Sequence, residues 1–197
     1  MKALIIVDPL NDFADPKGSL YVKGGQEIIE KINDISDDYD TVILIQDWHP
    51  ANHKSFASNN DANLYEMITL NGIPQVMWPD HGIQDTWGSE PHPGLKKNWK
   101  FIIKKGKNPE LDSYSAFYEN DQKTKTELTS VLNKLRVTEV DIVGLATDFC
   151  VKFTAMDAIK DGFIVNLLTD CIRGVNIEPD DSDLAIYEMG VCGVNIL

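Results

Sequence analysis

Six short runs of this chain are apolar along most of their length: Ala3–Val7, Thr41–Ile45, Phe101–Ile103, Val140–Val143, Phe163–Leu168 and Gly193–Leu197. They do not alternate with polar residues, as strands half-exposed to water would. Strands covered on both faces have this character. Between them lie helical stripes. Gln26–Ile35 sets Ile28, Ile29, Ile32 and Ile35 on one side, and Thr126–Leu135 does the same with Leu128, Val131, Leu132 and Leu135. Val151–Lys160 carries Phe153, Met156 and Ile159, and a last helix is expected over Asp181–Met189. Strands alternating with helices predict an α/β fold, a parallel sheet with helices on both faces. One domain spanning residues 1–197 is expected, long enough for a sizeable core.

Two segments break the alternation. Residues 48–100 are rich in Pro, Gly, Asn, Trp and His, and residues 106–120 are shorter and similar. Long irregular stretches in a compact domain usually carry function. The net charge, 18 basic minus 31 acidic residues or −13, is no footprint for nucleic acid or an anionic membrane. No apolar run is long enough for a signal peptide or a membrane span. Three cysteines are too few for a disulfide framework, so a reducing cytoplasm is the expected compartment.

Polar residues punctuate the strand ends. Asp8 follows the first run, Asp47 the second, Lys104 and Lys105 the third, and Cys150 the fourth after a brief turn. Open parallel sheets bind ligands at the carboxyl ends of their strands, where the strand order reverses. Cys150 reads as the opening of a helix, where the macrodipole and free N–H groups would lower its pKa and hold an oxyanion. A lone cysteine is more often a small buried hydrophobe. Asp8 and Lys105 at neighbouring strand ends shift that balance towards a nucleophile, with Asp8 as base and Lys105 as charge partner. Asp47-Trp48-His49, with His53 four residues on and His81 in WPDHG, offers carboxylate and imidazole ligands for Zn²⁺, Mn²⁺ or Fe²⁺. Loop histidines that merely hydrogen-bond are the competing reading. His92, between two prolines, reads as a loop residue without a role. Phe13, Trp48, Trp78, Tyr114 and Phe117 fall in loops, where they could wall a flat ring or, for Phe117, pack a satellite core.

The motifs VDPLNDF (7–13), QDWHPANHKSFAS (46–58), WPDHG (78–82), KKGKNPELDSYSAF (104–117), GLATDFCVKFTAMDA (144–158) and CIRGVN (171–176) span most of the chain. In them the sequence resembles the nicotinamidases of the isochorismatase-like cysteine hydrolases. The resemblance implies a three-layer α/β/α fold with a six-stranded parallel sheet of order 3-2-1-4-5-6. It implies Cys150 as nucleophile, Asp8 as general base and acid, and Lys105, the lysine directly before the glycine, as charge partner. Asp47, His49 and His81 would be the metal ligands. His53 matches a position that ligates metal in some members and not in others. A cis peptide at Leu145–Ala146 would aim the Ala146 N–H, with that of Cys150, at the oxyanion. Phe13, Trp78 and Tyr114 would line the ring pocket.

The implied reaction is hydrolysis of nicotinamide, and of pyrazinamide, to the acid and ammonia through a cysteine thioester, a step of NAD salvage. One divalent ion is the implied cofactor, zinc favoured. The small-molecule substrate is the implied partner, and association into a homo-oligomer stays open. Leu10, where many members have Gln, and Cys171, where a smaller residue is common, are the departures. Isochorismatases proper lack the cysteine, so the chain is not expected to be one. The alternatives are a related cysteine amidase on an N-carbamoyl or ureide substrate, a metallohydrolase with a structural Cys150, and a binding protein on a retired enzyme fold.

Overall fold

A computed structural model describes residues 1–197. The predicted strand runs appear as β1 (Lys2–Val7), β2 (Val42–Asp47), β5 (Phe101–Lys105), β6 (Glu139–Leu145), β7 (Ile164–Arg173) and β8 (Asn195–Ile196). They form one sheet of order β5-β2-β1-β6-β7-β8, with every pairing parallel. Counting these six strands along the chain, the order is the expected 3-2-1-4-5-6.

The helices are α1 (Asn11–Ala14), α2 (Glu27–Ser36), α3 (Leu128–Lys134), α4 (Lys152–Lys160) and α5 (Asp181–Val191). Residues alternate between the two faces of each strand, and two separate cores result. Ile5, Val7, Ile43, Ile45, Ile103 and Ile142 face α3, α4 and α5, where they meet Leu128, Leu132, Ala155 and Met189. Leu4, Ile6, Leu44, Val143 and Leu145 face α2, where they meet Ile28, Ile29 and Ile32. Burial on both faces explains why the strand runs lack alternation.

Three features depart from the expectation. Residues 48–100 are not wholly irregular: β3 (Met67–Leu70) and β4 (Ile73–Val76) pair antiparallel as a hairpin. The two strands are only four residues each and turn at Asn71-Gly72, both at positive φ. β7 runs past Leu168 through Thr169 and Asp170 to Arg173, accommodated by a register shift between Ile142 and Gly144 of β6. The last strand shrinks to two exposed residues at the sheet edge.

Strand order reverses between β1 and β6. Val7 lies across from both Ile45 and Gly144, so Asp8, the end of β2 and the turn after β6 converge. Gly144 has φ +116°, and a Cβ there would overlap the Val7 carbonyl oxygen. Only glycine lets the two backbones meet so closely.

Candidate active site

Register places the first pair. Asp47 and Lys105 are direct partners across β2 and β5, so both side chains leave the same face of the sheet. The Lys105 side chain is fully buried, and a buried ammonium requires anionic partners. It donates to Asp47 Oδ1 at 2.5 Å and to the Ser113 carbonyl at 2.9 Å, and lies 3.0 Å from Asp8 Oδ2. It also reaches Cys150 Sγ at 3.3 Å. Asp8 Oδ1 accepts the Asp47 backbone N–H at 2.9 Å. A carboxylate oxygen of Asp8 lies within 4.8 Å of the sulfur. The Lys105 ammonium thus touches both Asp8 and Cys150 and brings the three together.

Electrostatics divides the two carboxylates. Burial and the charge of Asp47 push Asp8 up to about 6, against the pull of Lys105. Burial would raise Asp47 too, but Lys105 and His49 hold it well below the usual carboxylate range. Burial would lower Lys105, yet its two carboxylates win and raise it. Paired groups driven apart in this way are a mark of acid–base sites.

Cys150 differs from the sequence expectation. Thr147–Val151 is a π-helical turn, closed by the N–H groups of Phe149 and Val151 donating to the Ala146 carbonyl, and α4 begins only at Lys152. Cys150 is thus held within the turn and not at a helix start. Its pKa is not lowered: burial pushes the thiol well up, and Lys105 only partly offsets this. The resting group is a thiol beside a carboxylate. Asp148 pins the turn, its two oxygens accepting the N–H groups of Val175 at 2.9 Å and Asn176 at 2.7 Å. The Leu145–Ala146 peptide is cis, as the resemblance implied.

A second set adjoins the first. His49 Nε2 lies 3.6 Å from Asp47 Oδ1, and His81 Nε2 lies 3.8 Å from Asp47 Oδ2. Each ring is bound to a backbone carbonyl through Nδ1: His49 to Gly106 at 2.8 Å, His81 to Pro79 at 2.7 Å. Carbonyls only accept, so each Nδ1 carries its proton, and Nε2 is the nitrogen that presents a lone pair when the ring is neutral. Metal-binding histidines are oriented in this way. The donor set therefore fits a divalent cation with open positions left. His53 is oriented the other way, with Nδ1 accepting the Ser55 backbone N–H at 3.2 Å. Its Nε2 is buried without a partner, and burial lowers its pKa to about 4. His49, His53 and Asp112 each also offer a ligand atom within 4.8 Å of the others. Phe56, fully buried, backs His49, His53 and His81 at centroid distances of 5.4–5.6 Å.

A narrow cavity opens onto both sets. Its walls include Phe13, Trp78, Tyr114 and Ala146, with Asp47, His81 and Cys150 at its polar end. Tyr114 Oη accepts from Trp78 Nε1 at 3.1 Å and from Gln75 Nε2 at 3.0 Å, which fixes the wall. Trp48 is elsewhere, its ring under the Lys104 ammonium, and Phe117 sits in the main core. His92 is outside the cavity. Sequence reasoning missed Phe149, Leu20, Asp112, Ser113 and Val175, which also line it. Phe149 was legible, since the residue before a nucleophile shares its turn; the others come from distant loops.

The open parallel sheet gathers acid, lysine and thiol where its strand order reverses, the place where α/β enzymes bind their substrates. The chain belongs to the isochorismatase domain family, whose model matches residues 2–196. A nicotinamidase of Escherichia coli is 44% identical over 200 residues, which cover 99% of this chain and 93% of that protein. The structure of an Acinetobacter baumanii nicotinamidase/pyrazinamidase superposes with a TM-score of 0.96 at 41% identity, over 100% of this chain and 95% of the other. That of a Pyrococcus horikoshii pyrazinamidase in complex with zinc has a TM-score of 0.82 at 34% identity, covering 100% and 98%. With these relatives, the chain is an amidohydrolase.

Proposed function

We propose that this enzyme hydrolyses nicotinamide to nicotinate and ammonia, a step of NAD salvage, and acts on pyrazinamide as well. The observation that carries the reading is a buried ammonium in contact with both a carboxylate and the thiol of Cys150, which lines an aromatic-walled cavity. The ring enters between Phe13 and Trp78, with its carboxamide towards Cys150. Asp8 takes the proton from Sγ, and the thiolate forms a bond to the carboxamide carbon. The N–H groups of Ala146 and Cys150 receive the negative oxygen. The C–N bond then breaks as Asp8 returns the proton to the departing ammonia, leaving a thioester. Water, deprotonated by Asp8, adds to the thioester; the C–S bond breaks as Asp8 returns that proton to sulfur, restoring the thiol, and the acid leaves and ionises to nicotinate.

Lys105 stays protonated throughout. It keeps Asp8 ionised at neutral pH despite burial and stabilises the sulfur anion. Asp47, His49 and His81 would hold one divalent ion, zinc favoured over Mn²⁺ or Fe²⁺. When bound, that ion supplies a Lewis-acid anchor for the pyridine nitrogen. His53, whose Nδ1 accepts a hydrogen bond, is assigned outside the ligand set. Free Cys150, Cys171 and Cys192 suit a reducing cytoplasm, and no helix is long and apolar enough to cross a membrane.

The test is steady-state ammonia release from nicotinamide, pyrazinamide, benzamide and a set of N-carbamoyl compounds. Nicotinamide and pyrazinamide should exceed benzamide, which lacks the ring nitrogen, by at least tenfold in kcat/KM. Preference for the carbamoyl compounds would favour a related cysteine amidase instead.

A further inference from the structure

Asp12 lies outside the triad and outside the metal set, yet it is buried at 8% exposure and joins no ion pair. A buried carboxylate without a cation must be held by hydrogen bonds. Here Oδ2 accepts the Gly82 N–H at 2.9 Å and Oδ1 accepts the Ser19 N–H at 3.2 Å. Gly82 is the joint between the two histidines. It directly follows His81, and its own carbonyl accepts the His49 N–H at 2.9 Å. Its φ is +54°, and a Cβ there would stand 2.9 Å from Asp47 Cβ. One glycine therefore touches or adjoins Asp47, His49 and His81, and Asp12 is the side chain that grips it. Asp12 sits on α1, four residues after Asp8 and next to Phe13.

We infer that Asp12 is a positioning residue that sets the geometry of Asp47, His49 and His81 through its hydrogen bond to Gly82. The inference rests on those three residues holding a metal. No longer side chain can replace it, because a Cβ on Gly88 would already overlap its carboxylate. Asn11, its neighbour, provides a comparison. Asn11 Nδ2 bonds the Trp87 carbonyl at 2.8 Å and Asn11 N bonds the Glu90 carbonyl at 3.0 Å. It ties α1 to the same loop without touching Gly82.

The experiment compares wild type, Asp12→Asn and Asn11→Ala. Zinc affinity is measured by competition with a chromophoric chelator, nicotinamide KM and kcat by ammonia release, and Cys150 reactivity by iodoacetamide alkylation. Asp12→Asn keeps the shape but turns an amide N–H towards one of the two backbone donors. Its zinc affinity should fall about 10–100-fold, the range for lost outer contacts of metal ligands. KM should rise more than kcat falls, with alkylation within about twofold of wild type. Asn11→Ala should lower the melting temperature with zinc affinity unchanged. Wild-type zinc affinity in Asp12→Asn would overturn the inference, as would equal losses of zinc affinity in both variants at equal loss of stability. A wild-type protein that binds no divalent ion would overturn the metal assignment itself, and this inference with it.

Discussion

Cys150 is buried among groups of both signs, and the balance of those groups sets its chemistry. Burial makes the thiol harder to ionise and the Asp8 carboxylate harder to keep ionised. Proton transfer from sulfur to Asp8 thus exchanges one disfavoured anion for another beside a common cation. In the proposed mechanism Asp8 must be ionised to act as base, so kcat/KM should rise with pH through about 6 and level off above it. Lys105→Met removes the cation that holds Asp8 down, so the acid limb should move to higher pH and kcat fall by about a hundredfold or more. A pH–rate profile checks both; an unmoved limb would contradict the assignment of Asp8. The residues were legible because Asp8 and Lys105 close or directly follow apolar strands and Cys150 follows the next strand after a short turn. The direction of the thiol's shift was not, because adjacency to a helix says nothing about how deep the group is buried. Asp12 escaped for a related reason: its partners lie 7 and 70 residues away in sequence.

At the scale of elements, the central strands and long helices follow directly from pattern. Doubly buried β1, β2 and β6 have too few polar residues to be anything else, and the α2 stripe of isoleucines packs onto one face of them. The β3–β4 hairpin escaped although Asn71-Gly72, both at positive φ, is the two-residue turn that marks a tight hairpin. The π-turn is defined by hydrogen bonds to Ala146 that no periodicity encodes. The approach of β1 to β6 through Gly144 fixes the distance between Asp8 and Cys150. Gly144→Ala should therefore be among the most damaging single changes. An alanine there meets both the positive φ and the Val7 carbonyl, a cost of roughly 2–4 kcal/mol. Urea denaturation should show it as a large drop in midpoint; a drop of less than a few tenths molar would mean that the two strands can separate without loss.

Over the whole molecule, the metal set links segments far apart in sequence: the end of β2 and the loop before residue 82. An ion that binds only the folded arrangement stabilises it by mass action. Zinc at a hundredfold excess over its Kd adds about 2.7 kcal/mol, or roughly 5–10 °C in Tm for a chain of this size. Calorimetry before and after chelation tests this, and a Tm indifferent to zinc would contradict the ligand assignment. The parallel sheet agrees with what six apolar runs foretold, and its strand order and the family membership agree with what the resemblance implied. The central claim is that the sulfur of Cys150 makes the bond to substrate. Its most direct test is ammonia release from nicotinamide by a folded, zinc-saturated Cys150→Ala variant. Loss of at least about a thousandfold in kcat is the result expected for removing a nucleophile; activity within tenfold of wild type would contradict it and assign the attack to another group.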